Sequence, residues 1–368
     1  MKILQIIYSL TSGGAERLVL DLSNEFSNYN EVHILTLLDE EIGDNSFYKS
    51  LLSEKVHYHC AKEITGFSMK KFFNINKMVR EIAPDIIHFH GKGISNYFLP
   101  SILFYRKPKY IETLHNKADI IFDNWYSFII LSLFKLDLIK MVSISDENKL
   151  GYEQLIKKDS STLIYNGRSK PIASSLLNQV QHEINALKKD ENDIVFIHVG
   201  RCSREKNQKM LIEVFNEINT KGIGFILLIF GEGFDSELGK EIKDLANENI
   251  HSLGTTLNII DYFMCADAFC LSSKYEGMPI TLIEAFGTEC IPICTPTSGS
   301  SAVIIDGQNG FISEDFSKDS YLSAVERYIN GKNYFNKNIL KQTYLDIFSM
   351  EKCVELYYNL YQKVLVRK

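Results

Sequence analysis

The 368-residue sequence has no pattern that would staple it, anchor it or give it a strong charge of one sign. Its seven cysteines (60, 202, 265, 270, 290, 294 and 353) form no CxxC pair and no metal-ligand spacing. That excludes a zinc ribbon or a disulfide framework and points to reduced thiols. The longest apolar run, around Phe128–Phe134, is far shorter than the roughly 20 residues of a membrane span. The opening MKILQIIYSL lacks the small-residue cleavage site of a secretory signal and runs directly into a strand-like pattern. A soluble, cytoplasmic chain is the expectation. Nor is there a basic excess: 40 Lys and Arg stand against 46 Asp and Glu, a net charge of −6. Residues 1–170 hold 21 cations and 20 anions, whereas residues 171–368 hold 19 and 26. The acidic second half argues against nucleic acid, whose phosphates demand a basic face.

What is present is an alternation of short β-rich apolar runs with longer amphipathic stretches. Strands are expected at Ile3–Tyr8, Val32–Leu37, Val56–Cys60, Ile86–His90, Tyr110–His115 and Met141–Ser145. Helices are expected at Ala15–Phe26, Met69–Ile82 and Ile94–Tyr105. The polar stretch Ser169–Asp193 reads as a linker, after which the rhythm restarts. Strands follow at Ile194–Val199, Phe225–Phe230, Ile250–Leu253, Ala268–Leu271 and Ile291–Cys294, with helices at Lys206–Asn219, Phe234–Ala246 and Ile280–Phe286. Continuous apolar strands separated by helices imply parallel sheets covered on both faces. The expected fold class is therefore α/β, two doubly wound Rossmann-like domains facing across a cleft, at residues 1–170 and 171–349. The tail, Met350–Leu365, is helical in period, with Val354, Tyr357, Tyr358, Tyr361 and Val364 on one side.

Three segments could carry chemistry. The first, Thr11 to Arg17 with Gly13 and Gly14, opens a helix directly after strand one. Free N–H groups there suit a phosphate or a polar acceptor, although a plain strand-to-helix turn explains it as well. It lacks the third glycine of a dinucleotide fingerprint. The second, Gly200 to Asn207, places Arg201 and Lys206 around a turn at a strand's carboxyl end. Two cations converging there could hold a leaving diphosphate; the alternative is a solvated basic loop. The third runs from Ser273 to Glu284. Pro279 suits a first helical turn, and Glu276 and Glu284 could grip two sets of sugar hydroxyls.

Taken together these pieces resemble the retaining GT-B glycosyltransferases, in particular family GT4. Glu276 and Glu284, with seven residues between them, look like that family's EX7E signature. The other pieces arrive in the family's order: Gly13-Gly14, Asp85 to Gly91, Thr113-Leu114-His115, Ser143 to Ser145, Asn166-Gly167, Gly200-Arg201 to Lys206, Gly231-Glu232-Gly233 and Asp306 to Gly310. The resemblance implies an acceptor domain followed by a nucleotide-sugar donor domain, with the tail helix 350–368 packing back on the first. It implies that Arg201 and Lys206 bind the donor diphosphate and that Glu284 binds the ribose. Glu276, with the backbone of Gly277 and Met278, would hold the transferring sugar. Gly200, Gly231 and Pro279 would line the donor site, and His115 would touch the sugar near the reacting carbon. Gly13, Gly14 and His90 would lie beside diphosphate and acceptor.

The sequence departs from the pattern at Asn166-Gly167, where Arg168 and Ser169 replace an aliphatic and then an acidic residue. No Asp-x-Asp motif is present, so a metal-independent transfer without cofactor is expected, with cations doing the work of a metal. The same face of the sugar would be attacked as the diphosphate leaves, and the departing phosphate would take the acceptor's proton. The resemblance implies a hexose or N-acetylhexosamine donor, with UDP as the favoured carrier and GDP-mannose the runner-up. The implied acceptor is a glycan or lipid-linked saccharide in bacterial surface polysaccharide synthesis, capsule or O-antigen. Rival readings are a nucleotide-sugar epimerase, a sugar phosphate synthase and an inactive sugar-nucleotide-binding protein. His88 and His90 share one strand face but lack a third metal ligand, and His57 and His59 are expected to carry no chemistry. Residues 69–80, with four cations among large apolar side chains, read as an amphipathic surface helix or as a peripheral membrane contact.

Overall fold

The computed structural model describes every residue except 40, 42, 44, 64–68, 116–126, 159–160 and 367–368. The chain forms two compact units, Met1–Ser169 with Ser349–Lys368, and Lys170–Phe348. In the first, strands β1 Lys2–Ile7, β2 Glu31–Leu38, β3 Val56–Glu63, β4 Ile86–His90, β5 Lys109–Leu114, β6 Ile139–Ser143 and β7 Ser161–Leu163 make one sheet. Its order is β3-β2-β1-β4-β5-β6-β7, and each neighbouring pair is parallel. The order reverses direction at β1 and β4, the arrangement that opens a ligand crevice at the carboxyl ends of strands.

The pleat divides the side chains of this sheet into two sets. Leu4, Ile6, Ile87, Phe89, Tyr110 and Leu114 join one apolar core with Ile75 and Val79 of α2 (Met69–Ile82) and Ile102 of α3 (Leu99–Phe104). The alternate residues carry a polar network. The ring nitrogens of His88 pair with the Tyr361 hydroxyl at 2.7 Å and with Thr113 Oγ1 at 2.8 Å, and Thr113 Oγ1 also meets the Tyr357 hydroxyl at 2.9 Å. Those tyrosines belong to the tail helix Met350–Val366, which also stacks Tyr361 on Phe26 of α1 (Gly14–Phe26). Buried polar groups of this kind stabilise only when every partner is present, so the network fixes one seating for the helix. The buried stripe is Met350, Cys353, Tyr357, Leu360, Tyr361 and Val364, whereas Tyr358 is exposed. This corrects the expected stripe.

The crossing from this unit explains the unusual Gly167-Arg168. A Cβ on Gly167 would fall 2.4 Å from Cβ of Cys353, so the tail helix lies against its backbone. Arg168 pairs Nη1 with Oδ2 of Asp21 on α1, and its carbonyl accepts the Met350 amide at 3.0 Å. Both charged side chains are buried, and Arg17 adds a second cation to Asp21 at 3.2 Å. Arg168 therefore serves the fold of this unit.

In the second unit, β8 Ile194–Val199, β9 Phe225–Phe230, β10 Ile250–Gly254, β11 Ala268–Leu271, β12 Ile291–Cys294 and β13 Phe311–Ile312 order as β10-β9-β8-β11-β12-β13. All pairs are again parallel. The stretch expected as a linker contains a helix, Leu177–Leu187, which buries only Val180 and Ile184. Two apolar anchors one turn apart are too few to stand out in a polar sequence. The helix expected from Lys206 starts at Gln208, because Asn207 sits in the left-handed region with φ 55°. That expected from Phe234 starts at Glu237, after Ser236 accepts the Gly239 amide as a cap. The segment Ile94–Tyr105 splits into a 3-10 turn, Ile94–Phe98, and α3.

Candidate active site

The second unit gathers most of the singled-out residues at the carboxyl ends of its strands. After β8 the chain runs through Gly200–Asn207 before the helix Gln208–Thr220. Three neighbours tie this loop down. Gln208 donates to the Arg201 carbonyl at 2.9 Å, the Cys202 amide donates to the Glu232 carbonyl at 2.8 Å, and Ser272 Oγ donates to the Lys206 carbonyl at 2.9 Å. Gly231 makes the close approach possible: it has φ +150°, and a Cβ there would lie 2.1 Å from the Gly200 carbonyl oxygen. Only glycine fits both conditions.

The loop delivers Lys206 to Glu276, with Nζ 2.5 Å from Oε1. Ser273 Oγ donates to the same oxygen at 2.7 Å. The Glu276 carbonyl accepts from Ser298 Oγ at 2.9 Å and from the Gly299 amide at 3.1 Å. A Cβ on Gly299 would meet the Gly277 carbonyl oxygen at 2.1 Å, so the short helix Ser298–Ser301 rests directly on the Glu276 loop. Ser273, Ser298 and Gly299 thus position Glu276. The sequence placed Ser273 only at the start of the Glu276 segment, without a role, and missed Ser298 and Gly299, whose Thr297-Ser298-Gly299-Ser300 run resembles any turn.

Pro279 is the N-cap of the helix Ile280–Gly287, in extended conformation, one position before the first helical turn expected of it. The amides of Leu282 and Ile283 turn back to its carbonyl, at 3.1 and 3.4 Å. Met278 is buried. Glu284 is the one charged residue of this helix, yet it is 4 % exposed. Carboxylates are rarely covered to that degree without a specific partner, so Glu284 is not an ordinary solvated helix residue. Arg201 differs from Lys206: it is 66 % exposed and pairs with Glu232 at 3.2 Å. The two cations therefore end on different carboxylates rather than a shared one.

His198, beneath this loop, donates from Nδ1 to the Cys270 carbonyl at 2.9 Å. Loss of water around it lowers its pKa to about 4, so it is a neutral core group.

In the first unit, Gly13 is the N-cap of α1 with ordinary extended backbone. A Cβ there would lie 2.2 Å from Oε2 of Glu16, so a carboxylate already covers the turn that Gly13 and Gly14 form. An incoming anion would have to share or displace it. His90 is buried at the end of β4, with Nε2 2.8 Å from Gln5 Oε1 and Nδ1 3.5 Å from Nε2 of His115. Burial lowers the His115 pKa to about 4 and that of His90 well below its usual value, so both rings are neutral near pH 7. His88 has both nitrogens bonded within the protein, which makes the His88–His90 pair a satisfied core feature rather than a metal site.

Residues 179–343 match the family described as Glycosyl transferases group 1. The span covers the loop of Arg201 and Lys206 and both Glu276 and Glu284. Relatives extend the likeness to about nine-tenths of the chain. The capsular polysaccharide biosynthesis glycosyltransferase CapH of Staphylococcus aureus is 24 % identical over 358 residues, 92 % of this chain and 93 % of its own. The N-acetylgalactosamine-N,N'-diacetylbacillosaminyl-diphospho-undecaprenol 4-alpha-N-acetylgalactosaminyltransferase of Campylobacter jejuni is 27 % identical over 353 residues, 90 % and 92 % of the two chains. Among solved structures, Anabaena Alr3699/HepE in complex with UDP and glucose superposes with a TM-score of 0.80 at 15 % identity, over 99 % of this chain and all of that one. With two parallel-sheet α/β units of matching strand order, the fold is GT-B.

Proposed function

We propose that this protein is a retaining glycosyltransferase that moves a hexose or N-acetylhexosamine from a UDP-sugar to a lipid-linked saccharide in bacterial surface polysaccharide synthesis. The observation that carries the reading is the Lys206–Glu276 pair at the carboxyl ends of β8 and β11, with buried Glu284 eight residues farther on, all inside the matched family span. The names of the relatives, one for capsule and one for a diphospho-undecaprenol saccharide, support the acceptor class, and the UDP complex of the structural neighbour supports the carrier.

In this reading the second unit is the donor domain. Lys206 and Arg201 neutralise the diphosphate as it leaves, the step in which negative charge develops and preorganised cations count most. Glu276 accepts hydrogen bonds from the sugar hydroxyls, and its partner Lys206 exchanges part of its carboxylate contact for phosphate oxygen. Glu284 accepts from the ribose hydroxyls. Gly200, Gly231, Gly277, Met278 and Pro279 let the backbone come close to the donor. His115, neutral at working pH, donates to the transferring sugar. No metal takes part, and the departing phosphate oxygen receives the acceptor's proton. The first unit, with Gly13, Gly14 and His90, receives the acceptor. Its α2 face, on which Phe73 is exposed beside Lys77 and Arg80, rests on the membrane that holds a lipid-linked substrate.

Product analysis tests the reaction. The enzyme, a UDP-sugar and a short lipid-diphosphate saccharide should yield an extended saccharide whose new bond keeps the donor's α-configuration by proton NMR. An inverted bond, or an altered donor sugar released without acceptor, would replace this reading with an inverting transferase or an epimerase.

A further inference from the structure

A second cluster lies at the opposite, amino-terminal end of the first sheet. Glu31 and His33 on β2, and His57 and His59 on β3, alternate with period two, and the parallel register sets His33 beside His57. All four side chains therefore share one face of the sheet. His33 is the buried centre of the group. Its Nε2 lies 3.1 Å from Glu31 Oε1, and its Nδ1 lies 2.9 Å from Nε2 of His59. The His57 ring stacks on it with centroids 4.7 Å apart. One ligand atom from each of Glu31, His33 and His57 falls within 4.8 Å of the others.

We infer that Glu31, His33 and His57 form a binding site for a divalent first-row transition ion such as zinc. Two imidazoles and one carboxylate suit zinc, whereas magnesium and calcium prefer all-oxygen sets. Ligand atoms around a tetrahedral zinc stand roughly 3.3 Å apart, given bonds of about 2.0–2.1 Å. The Glu31–His33 pair already meets this spacing, and His57 and Glu31, both exposed, are free to swing inward. His59 has the place of an orienting partner: it accepts from His33 Nδ1 while Nε2 turns to the ion. The Lys2 ammonium, 2.9 Å from Glu31 Oε1, holds the carboxylate until the ion displaces it. The site is remote from the carboxyl ends of the strands, so it takes no part in transfer. Because β3 is the edge strand of this sheet and leads towards α2, the ion would staple the edge to β2.

Calorimetric titration of the EDTA-treated protein with zinc chloride should show one tight equivalent. Cobalt chloride should give the absorption of a tetrahedral nitrogen–oxygen site, and zinc should slow hydrogen exchange of β3 amides. His57→Ala and Glu31→Gln, which alter exposed side chains, should abolish the tight equivalent without changing the metal-free melting curve. His59→Gln should weaken binding about 10- to 100-fold. His182→Ala, at an exposed histidine on the helix Leu177–Leu187, should bind as before. No stoichiometric binding, or an equivalent that survives His57→Ala, would overturn the site.

Discussion

Replacing Arg168 by methionine isolates one buried charge. Arg168 and Asp21 are 3 % and 4 % exposed, and the guanidinium is the closest cation to that carboxylate. Removing one partner of a buried pair generally costs about 3–5 kcal/mol, because the remaining charge is desolvated and unmatched. Here Arg17 still reaches Asp21 at 3.2 Å and is itself 18 % exposed, so part of the compensation survives. The loss should fall at the lower end, about 3 kcal/mol. For a unit of this size, each kcal/mol moves the melting temperature by about 2–4 °C, which gives a drop of about 6–12 °C. Scanning calorimetry of the wild type, Arg168→Met, Asp21→Leu and the double variant measures it. The double variant should recover most of the loss, since well-packed apolar side chains often replace a buried ion pair at little cost. A drop below about 2 °C in Arg168→Met, or a double variant as unstable as the two single changes summed, would refute the argument that this pair is a desolvated tie between α1 and the crossing segment.

Other consequences are nearer the chemistry. Lys206→Ala and Arg201→Ala should each lower turnover by about 10²–10³ with the fold intact; near-normal nucleotide release in either would remove that residue from the diphosphate site. His198 has a folded pKa of about 4 against 6.5 unfolded, so the unfolded chain takes up a proton first as pH falls. Stability of the second unit should therefore decline below pH 6.5 and lose about 2 kcal/mol by pH 5, and His198→Asn should flatten that slope in urea titrations. Flotation with liposomes containing anionic lipid should carry the wild type upward and leave Phe73→Ser behind; no flotation of the wild type would dispose of the membrane contact.

The sheet core was legible because parallel strands buried on both faces read as near-continuous apolar runs, with His88, His90 and His198 as the interruptions in β4 and β8. Ile86–His90, Ile194–Val199, Phe225–Phe230, Ala268–Leu271 and Ile291–Cys294 match the observed strands residue for residue. The short edge strands β7 and β13, with three and two residues, leave too little pattern to recognise. The tail helix was legible as a helix, and its buried side only in part. Tyr357, Tyr361 and Val364 lie on the buried side, while Tyr358 gives way to Cys353 and Leu360, since aromatic residues on adjacent positions satisfy more than one stripe. At the candidate site, Glu276 and Lys206 stand 70 residues apart, and no local pattern joins them. The order of motifs named both residues, but only the fold shows that they meet and that Arg201 turns to Glu232 instead. The role of Ser273, and Ser298 and Gly299 altogether, escaped notice for the same reason: their importance lies in what folding brings against the Glu276 loop.

The central claim is that the second unit binds a nucleotide sugar through Glu284, Glu276 and the two cations. Thermal shift and nucleotide release across a panel of UDP- and GDP-sugars, with Glu284→Ala alongside, test it most directly. One donor should raise the melting temperature and slowly yield its nucleotide, and both effects should vanish in Glu284→Ala. Binding of no donor, or binding that persists undiminished in Glu284→Ala, would contradict the account.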